Sequence, residues 1–123
     1  MYTLDTNAII YYLGRDESVR VRVDGALQRT APLYTSAITV AELFRFPKLT
    51  VEEATNIGAF LSICSIINLD VALAQQAGGI GRSHNLKLAD SIIAATALFT
   101  GTTLLTRNTR DFKRVTGLSV EAI

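Results

Sequence analysis

Met1-Tyr2-Thr3-Leu4-Asp5-Thr6-Asn7-Ala8-Ile9-Ile10-Tyr11-Tyr12-Leu13 decides the architecture, because its hydrophobic pattern changes at Asp5. Met1 to Leu4 is a short apolar run that stops at the acid and reads as a buried strand. From Thr6 to Leu13 the apolar residues Ile9, Ile10 and Leu13 form one helical stripe. The same handover recurs along the chain. Residues from about Ser18 to Arg29 form a charged helix with Val19, Val23 and Leu27 at helical spacing. Pro32 breaks the chain before a second strand, Leu33 to Ile38. Thr39 opens a third helix that Pro47 closes, and Thr50 opens a fourth that runs to about Cys64. Ile66 to Leu69 reads as a third strand, followed by an alanine-rich helix from Val71 to about Ile80. Asn85 is read as the cap of a helix from Leu88 to Phe99 that ends at Gly101. Thr103 to Thr106 is a fourth strand, Asp111 to Val115 a short helical turn, and Leu118 to Val120 a fifth strand. Strands alternating with helices predict an α/β fold with a central parallel sheet of about five strands, covered on both faces.

The bulk numbers agree with one domain over residues 1–123. Hydrophobic residues make up 49% and charged residues 19%, a globular balance. A net charge of +1 is far from the basic excess of a protein that holds nucleic acid by charge alone, so such contact needs a local patch or bridging cations. The single cysteine, Cys64, excludes an internal disulfide and sits among Leu61, Ile63 and Ile66 as a small core residue. No repeat or low-complexity tract interrupts the chain. The longest apolar stretch, Ile92 to Phe99, is less than half the roughly 20 residues of a membrane span. A soluble, cytoplasmic protein is expected.

In open parallel sheets, sites form outside the carboxyl ends of the strands. Asp5 follows the first strand and Asp111 the fourth, while Glu42 lies one turn into the helix after the second. Asp90 shares a helix face with Ile93, Ala94 and Ala97, so it is expected to be at least partly buried and to need a partner. Each acid has a plain alternative. Asp5 and Asp111 suit helix caps, Glu42 completes a capping box with Thr39, and Asp90 suits an ion pair with Lys87 or a distant base. Thr50 and Glu53 form a second such box, with no other role expected. Jointly, acids from separate segments at one end of one sheet point to a hard divalent cation, Mg²⁺ or Mn²⁺. One His and one Cys exclude the usual zinc ligand sets and a two-histidine nuclease. The Ala77-Gly78-Gly79-Ile80-Gly81 run lacks the Lys-Ser/Thr ending of a phosphate loop and reads as helix packing or termination. A phospho-acceptor domain would want adjacent acids after the first strand and a Lys after the last. The chain offers Asp5-Thr6-Asn7 and, in its favour, only Asp70 after the third strand.

Four motifs, Leu4-Asp5-Thr6-Asn7, Thr39-Val40-Ala41-Glu42-Leu43, Ala89-Asp90-Ser91-Ile92-Ile93-Ala94-Ala95-Thr96-Ala97 and Leu105-Thr106-Arg107-Asn108-Thr109-Arg110-Asp111-Phe112, together resemble the PIN domain over Met1 to about Val120. They are most similar to the VapC-type toxins of toxin–antitoxin modules. The resemblance implies a three-layer α/β/α domain and an Mg²⁺- or Mn²⁺-dependent endoribonuclease. It assigns Asp5, Asp90, Glu42 and Asp111 to catalysis and metal, with Thr6 and Asn108 in support and either Asp111 or Asn108 facing the metal. It also implies an RNA substrate, a cognate antitoxin and a homodimer; a housekeeping RNA-processing nuclease shares the same chemistry. Two regions depart from the family pattern. Phe44-Arg45-Phe46-Pro47 stands where many relatives have a glycine, and His84-Asn85-Leu86-Lys87 where many have Arg-Gly. Arg45, Lys48, Lys87, Arg107 and Arg110 are the basic residues near the site; for Arg45 and Lys48 an ordinary solvated surface is the expectation.

Overall fold

The computed structural model describes residues 1–123. β1 (Tyr2–Leu4) leads into α1 (Thr6–Leu13) and α2 (Glu17–Gln28), then β2 (Leu33–Ser36), α3 (Ala37–Phe44) and α4 (Val51–Ser62). β3 (Ser65–Ile67), α5 (Val71–His84), α6 (Leu88–Thr100), β4 (Thr103–Thr106), α7 (Thr109–Phe112) and β5 (Ser119–Ala122) complete the chain. All strands are parallel, in the order β3-β2-β1-β4-β5.

The alternation of side chains across the pleat builds the three layers. In β4, Leu105 joins Leu4, Ile9, Val19, Val23, Leu43 and Phe60 in a core beneath α1 to α4. Its neighbour Leu104 points the other way, to Ile93, Ala97, Phe112 and Val115 of α6 and the segment that follows β4. α5 reaches α6 through Leu73, Ala77, Ile92 and Ala95. Seven consecutive α6 residues, Ser91 to Ala97, are buried, which explains why that helix reads as apolar all round. No helix is long and apolar enough to cross a membrane.

Several boundaries differ from the sequence reading. β2 stops at Ser36 rather than Ile38, because Ser36 caps α3: its hydroxyl accepts from the Ile38 amide at 3.2 Å. β3 begins one residue early and ends at Ile67, so that Asp70 can cap α5. α5 continues through the glycine run to His84, and Asn85 ends it in the left-handed conformation (φ +53) instead of opening α6. α6 starts after Lys87, which offers no side-chain cap. Gly81 shows why the run stays helical: a Cβ there would lie 2.7 Å from the Ser91 hydroxyl, so glycine lets α5 and α6 approach closely. α7 starts at Thr109 and β5 at Ser119, each shifted from the expected position. The Thr50–Glu53 capping box is formed in both directions.

Candidate active site

The chain lays β1, β2 and β3 to one side, then crosses back through α5 and α6 to place β4 on the other flank of β1. The carboxyl ends of β1 and β4 therefore frame the switch point where a crevice opens. Asp5 stands in it. Its Oδ1 accepts from the Ala8 amide at 2.7 Å, which makes it the N-cap of α1. Its Oδ2 accepts from the Thr106 hydroxyl at 2.5 Å, across the switch point. The Asn108 amide in turn donates to the Thr106 oxygen at 2.9 Å. Capping and site membership thus coincide at Asp5, which is only 6% exposed.

Glu42 projects from α3 and accepts from the Thr6 hydroxyl at 2.5 Å; Thr6 also lies 3.1 Å from the Thr39 hydroxyl. The Thr39–Glu42 capping box does not form, since Ser36 opens the helix and Thr39 is buried within it. Asp90 sits in the first turn of α6, half-buried as expected. It forms no ion pair and no hydrogen bond with the protein; Lys87 is exposed and only partly offsets its charge. The alternative of an ion pair with Lys87 or a distant base is not realised: Lys87 precedes the helix and is exposed, and no base pairs with Asp90.

Asp5, Glu42 and Asp90 line one cleft of about 370 Å³ with Thr6, Asn7 and Ile10. Ile93, Arg45, Phe46 and Pro47 complete its wall. Burial, then the charges of Asp90 and Glu42, push the Asp5 carboxyl above its usual range, against the opposing Thr106 and Ala8 hydrogen bonds. Burial and the charges of Glu42 and Asp111 do the same to Asp90. Asp111 and Asn108 stand beside the cleft rather than in its wall. Asp111 lies inside α7, not at its cap, and accepts from Asn108 Nδ2 at 3.2 Å and from Arg114 at 3.3 Å.

The donors are all hard carboxylate oxygens, and one of them, Asp90, has no protein partner. That chemistry fits a divalent cation better than a lysine or arginine. The side chains form no ready-made group of three ligands. Asp70, the residue that favoured a phospho-acceptor, caps α5 through the Leu73 amide at 2.8 Å and lies at the sheet edge.

Three features differ from the sequence expectations. Thr106 orients Asp5, although its place at a strand end in a polar motif was the available signal. Arg45 lines the acid cleft instead of an ordinary surface. Arg107 is taken up by structure: its guanidinium pairs with Asp16, lies 3.9 Å over the Tyr11 ring and reaches the Ile123 carbonyl at 3.2 Å.

The PIN domain family model matches residues 2–118. Among solved structures, the chain is similar to VapBC2 from Rickettsia felis bound to a promoter DNA fragment (TM-score 0.84, 23% identity, 99% of this chain and 98% of that one). It is also similar to DNA-bound VapBC from Salmonella typhimurium (TM-score 0.83, 25% identity, 98% and 96%). A toxin–antitoxin complex from Klebsiella pneumoniae has TM-score 0.78 at 29% identity, over 96% and 95%. No curated protein sequence matches the chain.

Proposed function

The chain belongs to the PIN domain family, and on that premise we propose that it is an Mg²⁺- or Mn²⁺-dependent endoribonuclease, the toxin of a toxin–antitoxin pair. The observation that carries the reading is the convergence of Asp5, Glu42 and Asp90 on one cleft at the β1–β4 switch point, with Asp90 lacking any protein partner. In this reading Asp5 and Asp90 would hold the cation, Glu42 would assist, and Asp111, whose charge is felt at Asp90, is the fourth acid. The bound cation supplies a water of lowered pKa and charge stabilisation for a phosphodiester under attack.

The chain's own groups prepare that chemistry. Thr106 and the Ala8 amide fix both oxygens of Asp5, so its remaining lone pairs have a set direction. The Thr6 hydroxyl holds Glu42 Oε1 and leaves Oε2 free to accept a proton or orient water. Asn108 braces the far side through its amide to Thr106 and its side chain to Asp111. A cognate antitoxin, a homodimer and a cytoplasmic site of action, with residues 1–123 as one catalytic domain, belong to the same proposal. Likeness to toxin–antitoxin complexes supports the partner.

Purified protein is expected to cleave RNA with Mg²⁺ or Mn²⁺ and to stop in EDTA. Asp5→Asn and Asp90→Asn should be inactive yet folded. Cleavage that persists in EDTA or in Asp90→Asn would overturn the metal-dependent reading. Expression alone should arrest growth and the adjacent small gene relieve it; equal arrest by wild type and Asp5→Asn would rule out cleavage as the cause.

A further inference from the structure

We infer that the Arg45-Phe46-Pro47 segment is a subsite for one unpaired nucleotide of the substrate, its base stacked on the Phe46 ring and its phosphate held by Arg45. The inference rests on the ribonuclease reading above and names the form of RNA that the cleft takes.

The segment forms one wall of the acid cleft. It is a turn, not a loose loop: the Leu49 amide donates to the Phe46 carbonyl at 3.2 Å, with Pro47 at the second position, where its fixed φ suits such a turn. Phe46 opens that turn with 45% of its surface exposed, just after a helix whose Leu43 is 1% exposed. A half-exposed ring beside a phosphodiester-cleaving site offers the platform on which any base can stack. Base pairing hides that face inside a duplex, so the subsite selects an unpaired nucleotide.

Charge points the same way. Asp5, Glu42 and Asp90 repel a phosphate, and Arg45 is the one basic residue lining their cleft. Its guanidinium is in no ion pair, whereas Arg22, Arg107 and Arg114 each hold an acid. Phe46 also lines an apolar groove between α1, α3 and α4 together with Leu13, Leu43 and Leu49, and Arg45 does not. An apolar protein segment would use that groove without need of Arg45, which separates the two occupants.

The test is binding in Mg²⁺ to an Asp90→Asn protein, so that the strand is not cut. The probe is an eight-nucleotide single-stranded RNA carrying a central 2-aminopurine, alone or annealed to its complement. The single strand should bind more tightly and its fluorescence should change on binding. Adding Phe46→Ala should weaken binding about tenfold and remove the fluorescence change, and Phe46→Trp should restore both. Arg45→Gln should weaken binding and lower the slope of log affinity against log salt by about 0.7. Circular dichroism should be the same for all. Wild-type affinity in Phe46→Ala, an unchanged salt slope in Arg45→Gln, or equal affinity for strand and duplex would overturn the subsite. A wild-type protein that cuts no RNA while Phe46-dependent binding persists overturns the ribonuclease reading alone. Active protein indifferent to both substitutions overturns the subsite alone.

Discussion

Strands β1 and β4 carry a polar cluster at each end, and the two clusters are built on opposite terms. At the amino end of β4, Thr3 and Thr102 share a hydrogen bond of 2.6 Å, and Thr100 lies 3.0 Å from Thr102. Thr100 also reaches the Thr96 carbonyl at 2.9 Å, and Thr96 the Ile92 carbonyl at 2.8 Å. These groups are neutral and satisfy one another. At the carboxyl end the polar groups are acids, two of them held above their usual pKa, and one has no protein partner. A fully satisfied cluster gains nothing from a ligand, whereas an acid cluster with a partnerless member does. The first kind stabilises the fold, and the second is kept for function.

The sharpest way to break the contrast is Asp90→Asn. RNA cleavage should fall to below about one-hundredth of wild type, because a cation would lose one of its two main holders. Stability in EDTA should match or exceed wild type, since a partnerless half-buried charge is removed. A melting temperature well below wild type would mean that Asp90 has a stabilising partner, and the two ends would be alike. Next comes Thr106→Val, which keeps the shape and removes the donor to Asp5. Cleavage should drop about tenfold or more, with about 1–3 kcal/mol of stability lost at a buried charge-assisted bond. Thr106→Ser should recover most of both, and failure of that rescue would show that the methyl group, not the hydroxyl, matters.

Local signals made the acid end partly legible. Asp5 stands where a strand period gives way to a helical one, and the Thr50–Glu53 box needs only its own four residues. What stayed hidden was decided by partners distant in sequence. Ser36 and Thr39 are equally good caps by composition; the pairing of Ser36 with Ile67 holds β2 extended up to Ser36 and so settles the choice. Asn85 suits either side of a helix boundary, and the close contact of Gly81 with Ser91 carries α5 up to it. By sequence alone Arg107 suits an RNA contact, and Asp16, 91 positions away, holds it instead. The Phe44–Pro47 departure from the family pattern was visible as sequence, but its place in the cleft wall depends on how α3 packs.

At the amino end, Thr3→Val should cost about 1 kcal/mol and leave cleavage unchanged. The loss is small because Thr102 keeps its contact with Thr100. Denaturant unfolding and the RNA assay together check this. A loss of cleavage as large as that of Thr106→Val would couple the two clusters and end the distinction between them.

The smallest expected effect is a pH dependence of the metal-free protein. Asp5 and Asp90 have folded pKa values raised above the unfolded value of 3.8. The folded chain then binds more protons than the unfolded one between those values, so this contribution to stability falls as pH rises from about 4 and levels off above the raised pKa. Asp16 and Glu53 run the other way, since hydrogen bonds from Ser18 and from the Thr50 amide lower theirs. Glu53 is exposed and Asp16 partly so, and added salt weakens the Arg107 attraction that helps lower Asp16. The hydrogen bonds of Asp16 and Glu53 are the same in both proteins, so the cleft's share of the slope is the difference between wild type and Asp90→Asn, and Asp90→Asn should have the flatter fall with pH. Mn²⁺ at one hundred times its dissociation constant should reverse the loss at neutral pH by about 2.7 kcal/mol in wild type and by less in Asp90→Asn. Melts across pH 4 to 8, with EDTA and with Mn²⁺, read both effects. Equal slopes for the two proteins would mean that Asp90 is not one of the groups that titrates, and the contrast would then rest on Asp5 alone.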